Sequence, residues 1–275
     1  MVARAPRVVA AGQGLQWAKE GVEIFAASPA VWIGITILFM MMGVVLSIIP
    51  FAGMLWSVVV PIHAGGLMLG CRALRQGQPL EVRYLFNGFE APRLQPLALV
   101  GALYLAASVL VMLIVMVPIT LLALSGTLLS AFAVGNSGAS ATSLVGVGLV
   151  GVVIALVVMA AVMLLSLMVW FAPALVVFDD VPALEALKAS LHAGWTNVGA
   201  FTVYGLVLLG VGLVVISPLI AAILLTVARG EQAGPVAFVA IGGTALFACL
   251  CFLPLIPAAW GAMYASYEDI FGTNT

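Results

Sequence analysis

The chain has 275 residues, 65% of them hydrophobic and 7% charged, with a mean hydropathy of +1.30 and a net charge of −1. Soluble domains carry about 25% charged residues, so this composition excludes one, and the near-zero net charge leaves no basic face for nucleic acid. What remains is an integral membrane protein whose partner is the lipid bilayer.

Residues 1–29 hold Arg4, Arg7, Lys19, Glu20 and Glu23, with no compact apolar core ahead of a small-residue cleavage site. No removable signal peptide is expected. Leu15, Ala18, Val22 and Phe25 recur at helical spacing, with Gln16, Lys19, Glu20 and Glu23 on other faces. That pattern predicts a short amphipathic helix in the membrane interface. From Ile24 to Cys71 there is no Asp, Glu, Lys or Arg, enough for two crossings at about 20 residues each. They are placed at about 30–49 and 51–71, joined by the tight turn IIPFAG.

The second crossing contains "VVVPIHAGGLMLGCR". His63 lies about 13 Å of helix rise before Arg72. An ionisable side chain at that depth is costly and is therefore a candidate ligand-binding residue. A neutral imidazole hydrogen-bonded to a Ser or Thr of a neighbouring helix is the packing alternative and the preferred one, and on it His63→Leu is expected to be tolerated. Gly66 and Gly70 form a GxxxG, which lets helix backbones approach where lipid supplies no hydrophobic drive.

In "PLEVRYLFNGF", Val82, Leu85, Phe86 and Phe89 predict a second interfacial helix. No charge then occurs between Arg93 and Asp179, and spans are placed at about 97–133 and 144–178 around "GNSGASATS". Both are long for one crossing. Pro118, "LSGT" (124–127) or the glycines Gly146, Gly148 and Gly151 are where either would break, but tilting absorbs excess length at small cost, so one helix each is expected. The windows show no strict alternation, so the backbone must be satisfied inside helices, and the class is all-α.

"WFAPALVVFDDVPALEALKASLHAGWTN" carries two Asp, a Glu, a Lys and a His in an otherwise charge-poor chain. Asp179 or Asp180 is placed to cap a helix with Pro182 in its first turn. Leu184, Leu187, Leu191 and Trp195 line one face of this third interfacial helix, and Glu185 and Lys188 form an exposed pair. Asp179, Asp180 and His192 join His63 as candidate ligand-binding residues. Two adjacent carboxylates without a third ligand are a weak metal signal, so neither a metal nor a cofactor is expected. Spans at about 198–227 and 236–264 flank "ARGEQAGP", and Gly205, Gly210 and Gly212 cut a packing notch into the first. Cys71, Cys249 and Cys251 form no CxxC and read as small buried hydrophobes.

The organisation is thus a segment at 1–29, one bundle at 30–267 and a tail at 268–275. Its six transmembrane helices pair as three hairpins, each preceded by a short cytoplasmic interfacial amphipathic helix. The first and third units align in part, Leu15 with Leu184, Lys19 with Lys188 and Trp32 with Phe201, a match that shared interfacial chemistry also explains. With both termini cytoplasmic, eight of the nine Lys and Arg residues lie inside and only Arg229 outside. A reporter active only in the cytoplasm should therefore work after Thr275 and fail at Gly138. The opposite pair of results would overturn the helix count.

No HExxH, no GxSxG with an accessible His and no GxxxxGK[ST] is present, so no catalytic residue is assigned and no enzyme is expected. Polar residues in the spans are few: His63, Ser108, Thr120, Ser166, Thr202, Tyr204, Ser217 and Thr244. The reading is a non-enzymatic inner-membrane protein that binds or moves a small or lipidic ligand. A structural or assembly subunit of a membrane complex is the alternative and a membrane-embedded enzyme the third. A homo-oligomer or a membrane partner protein stays open.

At "WFAPALVVFDD", "ALKASLHAGWTN", "PIHAGGLMLG" and "LFNGF" the chain resembles uncharacterised bacterial six-helix inner-membrane proteins. These are similar to the membrane domain joined to some glycerophosphodiester phosphodiesterases. The resemblance implies a six-helix fold and gives no residue a role. With no phosphodiesterase domain in the sequence, that activity is not expected.

Overall fold

A computed structural model describes residues 4–49, 52–124, 141–230 and 234–272, without the side chains of 118, 122–124 and 141–150. Among the described residues there are ten α-helices and no strand. They are α1 (Gln13–Ala26), α2 (Pro29–Ile48), α3 (Ala52–Arg75), α4 (Leu94–Leu124) and α5 (Ala141–Trp170). There follow α6 (Ala172–Asp179), α7 (Ala183–Thr196), α8 (Val198–Arg229), α9 (Gly234–Phe252) and α10 (Leu255–Phe271). Six stretches are long and apolar enough to cross a membrane, the fourth ending in α6 and the sixth combining α9 and α10. The chain is an all-α integral membrane protein.

α4 runs without interruption to Leu124, and α5 runs through Gly146, Gly148 and Gly151. The break falls later, at Phe171, before Pro173. A proline in the first turn of α6 starts a new helix because its missing N–H is not needed there. Ser190 of α7 secures the joint: its hydroxyl donates to Leu167 O (2.6 Å) and accepts from Phe171 N (2.9 Å). Most of "LSGT", Gly138 and the third connection up to residue 140 lie outside the described residues. α10 continues to Phe271, so the segment expected as a tail begins in helix.

One expectation about the short elements needs correction, and in α1 the packed face is one that the apolar pattern did not mark. Residues 82–89 form two 3-10 turns, Val82–Leu85 and Asn87–Phe89, in place of an amphipathic helix. In α1 the face that packs into the protein is Gly14, Trp17, Gly21 and Ile24, while Leu15 and Val22 point outward. The hydrophobic pattern marked apolar positions, but glycine is what lets α1 approach α8 and α10. A Cβ on Gly14 would come 2.6 Å from Tyr204 N, and one on Gly21 would come 2.8 Å from Ala262 N. α7 buries Ala183, Ala186, Ser190 and Ala193, the positions that correspond to Gly14, Trp17, Gly21 and Ile24 in the partial alignment of units one and three.

α1, α6, α7 and α10 build a packed base, into which the ends of the spanning helices are set. α2, α3, α4 and α5 pack in sequence. α8 and α9 pack on each other and, among the described residues, join the rest mainly through α1 at the base, without an extended interface to α2–α5. Their outer surfaces are apolar: Leu206, Leu209, Val214, Leu224 and Phe238 are exposed in the isolated chain. In a bilayer these face lipid tails.

The base is stitched by the chain termini. Arg7 N donates to Ile270 O (3.0 Å), and Asn197 accepts from Val9 N (2.8 Å) while donating to Arg7 O (3.0 Å) and Ala193 O (2.9 Å). Trp17 Nε1 donates to Asp269 Oδ2 (2.9 Å). These bonds hold the N-terminal segment, the α7–α8 joint and α10 as one unit.

Candidate functional site

A polar cleft of about 480 Å³ opens in this base, between the last turns of α3, the end of α6, α10 and the N-terminal segment. Arg72 and Arg75 come from one turn of α3, Asp179 from the end of α6, and Tyr264, Tyr267 and Glu268 from successive turns of α10. Each side chain is positioned by a partner. Tyr267 OH donates to Asp179 Oδ2 (2.6 Å), Tyr264 OH donates to Glu268 Oε1 (2.7 Å), and Arg4 lies 3.5 Å from Asp179. Arg75 pairs with Glu20 of α1 and lies 3.7 Å from Glu268.

Arg72 differs from its neighbours. Its guanidinium sits 3.5 Å from the centroid of the Phe178 ring, and no carboxylate lies in ion-pair range of it among the described residues. The Phe178 ring quadrupole supports the guanidinium's charge, and Tyr264 is its hydrogen-bonding neighbour on the cleft side. A cleft that fixes two arginines with carboxylates and leaves a third on a ring is suited to an anionic or zwitterionic head.

The residues singled out from the sequence do not converge on one centre. Asp179 lines the cleft, in the network with Tyr267 and Arg4, and does not cap α7. Asp180 is the exposed C-cap of α6, with φ of +51°, a left-handed conformation that Asp tolerates better than most residues. Pro182, not an Asp, stands at the N-cap of α7. His192 is exposed and lines a separate groove of about 450 Å³ with Leu164, Lys188, Leu191 and Trp195. Among the described residues no three His, Cys, Asp or Glu side chains are grouped to hold a metal ion.

His63 is fully buried, ringed by Phe39, Trp56, Phe86 and Phe89 at centroid distances of 5.1–6.0 Å. Its Nδ1 lies 2.7 Å from Leu85 O, so this nitrogen carries the proton and donates. The partner is a backbone carbonyl, where a Ser or Thr of another helix was expected. That changes the expected outcome of His63→Leu. The Leu85 carbonyl cannot be removed with the ring, and a buried acceptor left unpaired costs about 1–3 kcal/mol. His63→Leu should therefore lower the Tm of the detergent-solubilised protein, while an unchanged Tm would show that Leu85 O finds another donor.

The glycines divide in the same way. A Cβ on Gly66 would meet the backbone of Tyr84, Gly88 and Asn87, and one on Gly70 would come 2.9 Å from Leu80 Cδ1. The GxxxG thus seats the 78–89 loop on α3, not a second transmembrane helix. Gly205, Gly210 and Gly212 have nothing within 4 Å of a built Cβ, so the expected notch holds no neighbour within the described residues. What the sequence reading missed was the cleft itself. Arg72 and Arg75 were counted only for orientation, and the Tyr264, Tyr267, Glu268 set at helical spacing was the available signal for it.

The chain is 26% identical over 275 aligned positions to a probable inner membrane protein of Burkholderia thailandensis, covering 97% of this chain and 93% of the relative. No protein-family model matches the chain, and no solved structure matches it.

Proposed function

We propose that the chain is a non-enzymatic, multi-pass inner-membrane protein that holds a lipidic ligand. The polar head occupies the Arg72 cleft, the apolar part lies among the spanning helices, and the cleft opens to the cytoplasm. The observation that carries this reading is Arg72: a cation on an aromatic ring, without a carboxylate partner, in a polar cleft at the end of a transmembrane helix. Cations at this level meet lipid headgroups, whose charge they complement.

The spans support a lipidic rather than a hydrophilic ligand. Ser108, Thr120, Ser166, Thr202 and Thr244 each donate to a carbonyl four residues back in their own helix. Hydroxyls satisfied in this way offer little to a passing solute. The positive-inside bias supports the cytoplasmic placement of the cleft, since Arg4, Arg72 and Arg75 all contribute to it.

The test is lipid retention. Full-length protein purified in a neutral detergent should carry lipid into an organic extract, measured by mass spectrometry, and Arg72→Gln should retain about tenfold less. A charge-assisted contact of the size involved corresponds to roughly that factor. Equal lipid in the two proteins would overturn the proposal and favour a structural subunit of a membrane complex.

A further inference from the structure

Behind the cleft, Arg72 and Gln76 also form one wall of a second recess of about 240 Å³. The opposite wall is Gln78, Tyr84 and Asn87 of the loop and Arg93 just ahead of α4. No Asp or Glu lines it. Arg93 makes no ion pair, and the side chains of Gln76, Gln78, Tyr84 and Asn87 make no hydrogen bond, among the described residues. Two guanidiniums and three amides converge there: Arg72 is already engaged by Phe178 and Tyr264, while the Arg93 charge and the three amides have no side-chain partner among the described residues. The volume lies below the roughly 300–1,000 Å³ of drug-sized ligand sites, which suits one small group.

The recess is built by the features that pin the loop. His63 holds the Leu85 carbonyl, Gly66 and Gly88 bring the loop and α3 into backbone contact, and Leu80 and Leu85 are buried beneath it. The loop therefore holds Asn87 and Tyr84 at fixed distance from Arg72. Forked N–H donors of arginine match tetrahedral oxyanions, and amide N–H groups complete their coordination.

We propose that this recess is a phosphate site, with Arg72 and Arg93 as its cations and Asn87, Gln76 and Gln78 as neutral donors. It deepens the lipid reading and rests on it only for the acyl part of the ligand: the head held beside Arg72 is a phosphate ester. The shared chemistry is the phosphate group, whether free or on a lipid.

The test uses full-length protein in a phosphate-free neutral detergent at fixed ionic strength. Three probes are titrated: inorganic phosphate, mixed micelles containing dioleoyl phosphatidic acid, and micelles with dioleoylglycerol in its place. Binding is read as a Tm shift and by native mass spectrometry. Phosphatidic acid should bind the parent protein and dioleoylglycerol should not. Arg93→Gln should weaken binding about tenfold. Gln78→Glu, an exposed position where the fold is not at stake, should weaken it at least as much by placing a carboxylate in the recess. Should inorganic phosphate bind as tightly as phosphatidic acid, with both variants weakened, the recess stands and the lipid reading falls. If both variants bind phosphatidic acid like the parent while Arg72→Gln does not, the cleft reading stands and the recess proposal is overturned. Equal binding of dioleoylglycerol also overturns it.

Discussion

Gly21→Leu should prevent α1 from docking and leave little folded protein. Gly21 faces Ala258 and Ala262 of α10, and a Cβ there would stand 2.8 Å from Ala262 N and 3.0 Å from Ala262 Cβ. Gly261 faces it in turn, its own built Cβ 2.9 Å from Gly21 Cα. The crossing is glycine on glycine, and the atoms in the way are mostly backbone, which cannot rotate aside. Overpacking a well-filled core costs about 1–3 kcal/mol where side chains can yield. Here α1 must move as a body, and the Arg75–Glu20 pair and the Trp17–Asp269 bond move with it. A loss of about 3 kcal/mol or more is expected. Gly210→Leu is the control, since nothing stands within 4 Å of its built Cβ. It should be neutral, or stabilising by up to about 1 kcal/mol through helix propensity. Thermal unfolding and membrane abundance read both. Similar losses in the two variants would mean that glycine contacts do not set the α1–α10 distance.

Trp17→Ala should have the next largest effect, a loss of about 3–5 kcal/mol. Trp17 is 1% exposed, meets Phe201 edge-on at 5.4 Å and donates to Asp269. Truncation opens a cavity between α1, α8 and α10 and removes a donor from a carboxylate. Trp17→Phe weights the two contributions differently, because it keeps most of the ring volume and loses the bond to Asp269, worth about 1.5–3 kcal/mol with a charged acceptor, with a smaller packing loss. Unfolding in detergent should rank parent, Phe and Ala in that order. Equal stability of the Phe and Ala variants would assign the whole effect to the hydrogen bond and none to packing.

Both predictions concern α1, where hydrophobic periodicity marked the outward face and not the one that packs into the protein. Leu15, Ala18, Val22 and Phe25 satisfy a helical repeat, and so do Gly14, Trp17, Gly21 and Ile24. Hydropathy ranks the first set higher because glycine carries no apolar area. Between two helices close approach matters as well as area, and Gly14 and Gly21 provide it. At Gly205, Gly210 and Gly212 a spacing that permits close packing meets no neighbour within 4 Å among the described residues. The loop at 82–89 shows a third limit. Its apolar repeat suits a helix, but Gly88 and the bond from His63 to Leu85 O hold it as two 3-10 turns against α3.

The sequence by itself determined the all-α membrane class and the six apolar crossings. Both follow from local quantities, the length of charge-free runs and the need to satisfy backbone groups in lipid. Tertiary structure alone decided which charges meet and which glycines are contacts. Asp179 meets Tyr267 and Arg4, Trp17 reaches Asp269 across 252 residues, and Arg72 lies on Phe178 between two recesses. Such pairings depend on how helices distant in the chain cross, and no short-range pattern encodes a crossing. The cleft therefore became visible only when α3, α6, α10 and the N-terminal segment were brought to the same end of the bundle.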